Sequence, residues 1–512
     1  MAVTGDTGKA GANLDSGSME DALPKAMAPP AAMALVFAAA GAVLMLEILA
    51  VRLLAPYVGL TLTTTTSIIG AALAGIAIGA AGGGYLADRT HTRTLIVGLL
   101  IGGGLLTLLV VPTVRWLGPG VRGGGDLAAL GITTIALVPA AVVLSAVSPA
   151  VAHLQLHNLH TSGTIVGRLS AFATAGALVG TFGTGFILVP LVPVSAAVLG
   201  IGLALIAIGI VLGASSRLVP ATAIAGVIAL TLGFGALTAA SASPCDRETA
   251  YHCAVVERRP EFPGRSYLLT LDGEANSVVN LDNPTELDFR YTRWIADSIN
   301  SRYRGKEPLD AVFVGGGAFS LPRWLNGSRP GSKSMVLEID GGTVDLDEEK
   351  LDLKTSPDLE VMVGDARITI LDVPSKGADV IVGDAFSGLT VPWHLTTAEW
   401  LQEVKRVLKP DGLYAMNLVD NTPLEFLKAE ASTFLDAFSD VRMITPVGIN
   451  GEPIDGNTIL LGSVKQMPQS VGSSAYEART FQNPEVEAFV AGADSLNDDY
   501  APVDQLLTVK DD

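Results

Sequence analysis

The 512 residues are 49% hydrophobic but only 6% aromatic, and they carry a formal net charge of −18. The positive mean hydropathy argues against a purely soluble protein, and the length argues against one compact domain. The charge is uneven: residues 29–243 hold seven arginines, three acids and no lysine, whereas 24 basic and 44 acidic residues follow Ser243. A domain that acidic repels phosphate backbones, so nucleic acid is not an expected partner.

Residues 1–28 are polar and rich in Gly, Ser and Asp. With no basic stretch leading into a short apolar core, they read as a disordered tail rather than a signal peptide. A transmembrane helix needs roughly 20 apolar residues. Seven stretches qualify, near 31–54, 63–87, 94–114, 127–152, 164–190, 193–213 and 219–241. They are separated by Pro56, Asp88-Arg89, Pro112 with the Gly118–Gly125 cluster, His160–Gly163, Pro190 with Pro193, and Ser215–Arg217. Residues 29–243 are therefore expected to form a multi-pass helical domain of about seven helices in a lipid bilayer.

Within it, Gly75 and Gly79, and Gly176 and Gly180, are four apart, a spacing that lets helices pack closely. Packing is the simpler reading than a dimer motif in so small-residue-rich a segment. Glu47 and Arg52 are ionisable groups inside a span, which usually face the bundle or an aqueous cavity. A substrate contact or gate competes with the plainer reading that Arg52 snorkels to the interface. His153, His157 and His160 share one face of a helix end. With no acid nearby they read as a wet interface rather than a metal site, and no metal is expected in the protein.

The loop Asp88–Arg93 is net basic, as are the connectors carrying Arg168 and Arg217. The positive-inside rule places these in the cytoplasm. Five further helices then put the residues after Ser243 on the opposite side, although one miscounted helix reverses that orientation. Cys245 and Cys253, the two cysteines of the chain, lie at this junction. Two thiols do not make a structural zinc site. They either pair as a disulfide in an oxidising compartment or are unrelated.

After Ser243 the texture changes to short strands, turns and amphipathic helices. Residues 244–305 form a β-rich lead-in and a helix: strands at Ala254–Glu257 and Arg265–Leu271, a turn at Asp272-Gly273, then a helix over Asp288–Arg302. Over 306–512 strands and helices alternate, which predicts a mostly parallel, Rossmann-like α/β sheet with helices on both faces. The first strand, Asp310–Val314, runs into Gly315-Gly316-Gly317 and a helix, a turn that lets backbone approach a ligand. The second, Met335–Asp340, places Glu338 and Asp340 about twenty residues on, the spacing of a carboxylate that grips ribose hydroxyls. The third, Glu360–Val363, leads to Asp365, and the fourth, Asp379–Gly383, delivers Asp384 at its carboxyl end. A helix over Thr397–Leu408, a turn at Lys409–Gly412 and a fifth strand, Leu413–Leu418, follow. Strand-end acids are often mere solvated caps, but four in chain order at these spacings point to a nucleoside-binding sheet.

Six segments, Leu271-Asp-Gly273, Val314-Gly-Gly-Gly317, Leu337-Glu-Ile-Asp340, Gly364-Asp365, Val380-Ile-Val-Gly-Asp384 and Leu408-Lys-Pro-Asp-Gly412, together resemble the spermidine synthase pattern of the polyamine aminopropyltransferase family. The Glu47/Arg52 helix and the terminal Asp498-Asp-Tyr-Ala-Pro-Val-Asp504 are similar to bacterial proteins that fuse a membrane domain to such a synthase. The resemblance implies a methyltransferase-type fold and an aminopropyl donor, decarboxylated S-adenosylmethionine. It assigns Glu338 to the ribose, Asp365 to the adenine amine, Asp384 to the catalytic base and Tyr291 to the acceptor amine. An amine must lose its proton to attack a sulfonium, which is why the chemistry asks for a base.

Two departures stand out. The family's glycine loop usually continues with an aspartate for the donor's aminopropyl nitrogen, where this chain has Ala318. A second aspartate usually holds the far amine of putrescine, where this chain has Ser387. Each missing carboxylate removes a charge-assisted hydrogen bond of roughly 1.5–3 kcal/mol. The expected acceptor is therefore a small amine other than plain putrescine. An S-adenosylmethionine-dependent methyltransferase is one alternative; a non-catalytic sensor or transporter with a degenerate synthase domain is another. The reading also allows a homo-oligomer.

Overall fold

A computed structural model describes residues 27–507 except 60–61, 123, 157–161, 387–389 and 473–476. Among them seven helices are long and apolar enough to cross a membrane: Pro29–Val58, Thr64–Ala87, Thr92–Val121, Val138–Gln155, Ser162–Leu191, Val194–Ser215 and Ala221–Ala240. The number matches the expectation, but the fourth does not run unbroken over 127–152. A shorter helix, Gly125–Ala136, stops at Leu137, and Pro139 sits in the first turn of the next. Proline has no N–H to continue a helix but fits a first turn, which explains the break.

Both glycine pairs pack helices within the chain. A Cβ on Gly176 would lie 2.2 Å from the Phe37 carbonyl oxygen, and one on Gly79 would lie 2.1 Å from that of Val142. At one end of the bundle Thr92 and His153 share a hydrogen bond of 3.2 Å, with Asp88 3.5 Å from the same ring. At the other end Arg52, Arg115 and Ser195 reach residues 248–250 of the following domain. His157 and His160 lie outside the described residues.

The lead-in is an antiparallel sheet of β1 (Arg247–Glu248), β2 (Cys253–Arg258), β3 (Ser266–Leu271) and β4 (Glu274–Asn280), paired in that order. Asp272 and Gly273 both have positive φ, 51° and 90°, as a two-residue hairpin turn of the favoured twist requires. Cys245 and Cys253 are joined as a disulfide. The helix Arg290–Arg302 follows.

The large sheet contains β5 (Asp310–Val314), β6 (Lys333–Glu338), β7 (Leu359–Val363), β8 (Ala378–Gly383), β9 (Leu408–Asp420), β10 (Asp440–Thr445), β11 (Gly456–Ser463) and β12 (Arg479–Phe481). Their order is β12-β10-β11-β9-β8-β5-β6-β7. Strands β5 to β9 are parallel, and β10, β11 and β12 pair antiparallel, so the sheet is mixed. Alternation along the strands builds two cores. Val312, Val314 and Ile381 pack with Trp400, Leu401 and Val404 of the helix Ala398–Val407 on one face. Ala311, Phe313, Val380 and Val382 pack with Trp294, Ile295 and Trp324 on the other.

Two local expectations change. The second strand ends at Glu338 rather than Asp340, because Asp340 caps the helix Gly341–Lys350, accepting from the Gly342 N–H at 3.0 Å. The segment Lys409–Gly412 is a bulge inside β9 rather than a turn before it: Ala378 opposes Leu408, and Val380 opposes Leu413.

Candidate active site

Strand order reverses between β5 and β8, and the carboxyl ends of strands flanking such a point form a crevice in open α/β sheets. Here that crevice is a cleft lined by Gly315, Gly316, Gly317, Glu338, Asp365, Asp384 and Tyr291. All the described site residues expected from the sequence are thus brought together. Ser387 lies outside the described residues.

The glycine turn is shaped by close approach. Gly315 has φ of 94°, and a Cβ there would lie 2.5 Å from the Asp384 carbonyl oxygen. The Gly316 N–H donates to Glu338 Oε2 at 2.7 Å, while Glu338 Oε1 accepts from the Asp340 N–H at 2.8 Å. Glu338 is thereby aimed across the turn. Burial pushes its carboxyl up, and the two backbone donors oppose that shift. Asp365 caps the turn Ala366–Thr369 through the Arg367 N–H and faces the His394 ring at 3.2 Å. Ile339, Ala366, Pro392 and Leu395 give this end of the cleft an apolar wall.

Asp384 is fixed by its backbone, whose N–H donates to the Val314 carbonyl at 2.9 Å. The Tyr291 hydroxyl donates to its Oδ2 at 3.0 Å, and Asn417 Nδ2 donates to its Oδ1 at 2.8 Å. Asn457 in turn donates to Asn417 Oδ1 at 3.1 Å, which fixes the direction of the Asn417 amide. Burial pushes the Asp384 carboxyl up to about 6, with the two donors pulling the other way. Burial and the neighbouring carboxylate hold the Tyr291 phenol well above its ordinary value, so it remains a donor. A buried carboxylate oriented by neutral donors is suited to accept a proton near neutral pH.

Ala318 does not line the cleft. It is fully buried in an apolar cluster with Ala254, Leu269, Val279, Leu346 and Leu351. Ala318 thus brings neither a charge nor exposed surface to the cleft. Sequence reasoning also missed His252, Asn276 and Ser277, which the lead-in contributes to the cleft, and His394. Asn417 and Asn457 were missed as well; a lone amide inside the apolar run Leu413–Leu418 was the available signal for Asn417. Among the described residues no three His, Cys, Asp or Glu side chains gather as metal ligands.

No protein-family model matches the chain. It is 28% identical over 225 residues to a polyamine aminopropyltransferase of Vibrio vulnificus, covering 44% of this chain and 72% of that one. It is 25% identical over 167 residues to a polyamine aminopropyltransferase of Chromobacterium violaceum, covering 32% of this chain and 63% of that one, less than two thirds of its length. Among solved structures, a probable spermidine synthase from Corynebacterium glutamicum aligns with 52% of this chain and all of its own, at 25% identity and a TM-score of 0.46. The spermidine synthase of Thermotoga maritima aligns with 51% of this chain and 86% of its own, at 15% identity and a TM-score of 0.32. The α/β domain is thus similar in sequence to polyamine aminopropyltransferases, and seven helices apolar enough to cross a membrane precede it.

Proposed function

We propose that the α/β domain transfers an aminopropyl group from decarboxylated S-adenosylmethionine to an amine, with the helical bundle holding it at a bilayer surface. The observation that carries this reading is Asp384, buried at the carboxyl end of β8 with one oxygen on Tyr291 and the other on Asn417. In the proposed step the amine lone pair attacks the carbon beside the sulfonium sulfur. The carbon–sulfur bond breaks, its electron pair neutralises the sulfur, and methylthioadenosine leaves. The proton lost by the amine nitrogen passes to Asp384. Glu338 would take the ribose hydroxyls and Asp365 the adenine amine, and the Gly315–Gly317 turn would let the ligand lie close to backbone. A hydroxyl at Ser387 brings no charge for a distal ammonium, which favours an acceptor whose far end is neutral. Calorimetry on the full chain with S-adenosylmethionine, its decarboxylated form, methylthioadenosine and polyamines tests the nucleoside reading. Heat with an adenosyl thioether or sulfonium is expected, and no heat with any of them on folded protein overturns it.

A further inference from the structure

The segment Cys245–Cys253, closed on itself by its disulfide, is bonded to both halves of the chain. Three membrane-side helices hold it. The Arg52 guanidinium donates to the Ala250 carbonyl. Arg115 Nη2 lies 3.2 Å from Glu248 Oε1, and the Ser195 N–H and hydroxyl donate to Glu248 Oε2 at 3.0 and 2.9 Å. The Arg115 and Glu248 side chains are only 9% and 13% exposed, so these are screened little by solvent.

The same segment holds the cleft. The Thr249 hydroxyl donates to Asp340 Oδ2, and both residues are buried. The Asp340 N–H donates to Glu338 Oε1 at 2.8 Å. His252, which walls the cleft, pairs with Asp272 Oδ2 at 2.8 Å. Arg52, Pro56 and Val194 line a small second cavity together with Thr249, Tyr251 and His252, so the joint is not packed solid. Arg52 thus stands a few bonded contacts from Glu338: Ala250 and Thr249 in the closed segment, then Asp340.

We propose that the segment Cys245–Cys253 is a coupling element through which the membrane-spanning helices set the position of the Glu338 carboxylate, with Arg52 a positioning residue for nucleoside binding. The identity of the ligand rests on the function proposed above; the mechanical link does not. A displacement of the Pro29–Val58 helix moves the Ala250 carbonyl, and Thr249 carries that movement to the Asp340 cap and the end of β6. Coupling free energies between linked sites typically change affinity by about 5-fold or more.

The test is amide hydrogen exchange on the full chain in detergent micelles, comparing the parent with Arg52→Ala, Arg52→Lys and Thr249→Val. Faster exchange over residues 338–344 is expected in Arg52→Ala and Thr249→Val, with residues 413–419 unchanged and Arg52→Lys close to the parent. Methylthioadenosine affinity should fall about 5-fold or more in the same two variants. In turnover assays the KM for the nucleoside should rise and that for the amine should not. Should Arg52→Ala unfold the chain, Thr249→Val decides alone, since it cuts the link on the cleft side. Exchange over 338–344 that stays at the parent rate in Thr249→Val, or changes confined to 247–252 in Arg52→Ala, overturn the coupling. A parent chain that binds no methylthioadenosine overturns the nucleoside reading instead, and the exchange data still judge the link.

Discussion

The Tyr291 hydroxyl donates to Asp384 Oδ2 at 3.0 Å across 93 residues of sequence. Tyr291 belongs to the helix that closes the lead-in, and Asp384 follows the central strand β8. Packing that helix on the sheet therefore brings a buried carboxylate and its orienting donor together from two different parts of the domain.

Asp384 can accept a proton only when ionised, and its carboxyl sits at about 6. Its protonated fraction grows as pH falls through that value, so the transfer rate should drop about tenfold per pH unit below it and level off above. An unperturbed aspartate would place that limb roughly at pH 4. A pH–rate profile at saturating nucleoside checks this. Asp384→Asn should abolish transfer while methylthioadenosine still binds.

Tyr291→Phe removes one of two donors that lower the Asp384 pKa. The acidic limb should move to higher pH. A lost hydrogen bond to a charged group, roughly 1.5–3 kcal/mol, predicts a rate about tenfold lower or worse. A parental limb in the variant would show that the phenol does not tune the base.

Much of this was legible in the sequence because the glycine turn and the strand-end acids occur in chain order on parallel strands. Gly315, Glu338, Asp365 and Asp384 line one cleft as their spacing implied. The lead-in's part was not legible: Asn276 and Ser277 reach the cleft only because β4 packs over Gly317, a tertiary contact with no local signature. The burial of Ala318 was not legible for a related reason. Gly317 has φ of 51° and Phe319 is also left-handed, and the Ala318 methyl lies in the apolar layer beneath the lead-in rather than in the cleft.

Ala318→Asp therefore should not restore a donor contact. A carboxylate among Ala254, Leu269 and Leu346 has no partner in that apolar cluster and costs several kcal/mol. A lower unfolding midpoint with no gain in diamine turnover is expected. Ser387→Asp alone is the substitution that should raise putrescine use; faster diamine turnover in Ala318→Asp would contradict the placement.

The connector ending at Thr92 and the residues that hold the α/β domain, Arg52, Arg115 and Ser195, occupy opposite ends of the bundle. With Arg89 and Arg93 in or beside that connector, the positive-inside rule predicts the α/β domain outside the cytoplasm. A phosphatase fused after Ser243 should be active and a cytoplasmic fluorescent fusion dark; the reverse pattern refutes the orientation.

Release of methylthioadenosine from decarboxylated S-adenosylmethionine by the full chain reads out the proposed amine-dependent aminopropyl transfer. Across a panel of mono- and diamines, release should require an amine, favour acceptors with a neutral far end over putrescine, and vanish in Asp384→Asn. Binding of methylthioadenosine without release for any amine, or release unaffected by Asp384→Asn, would contradict it.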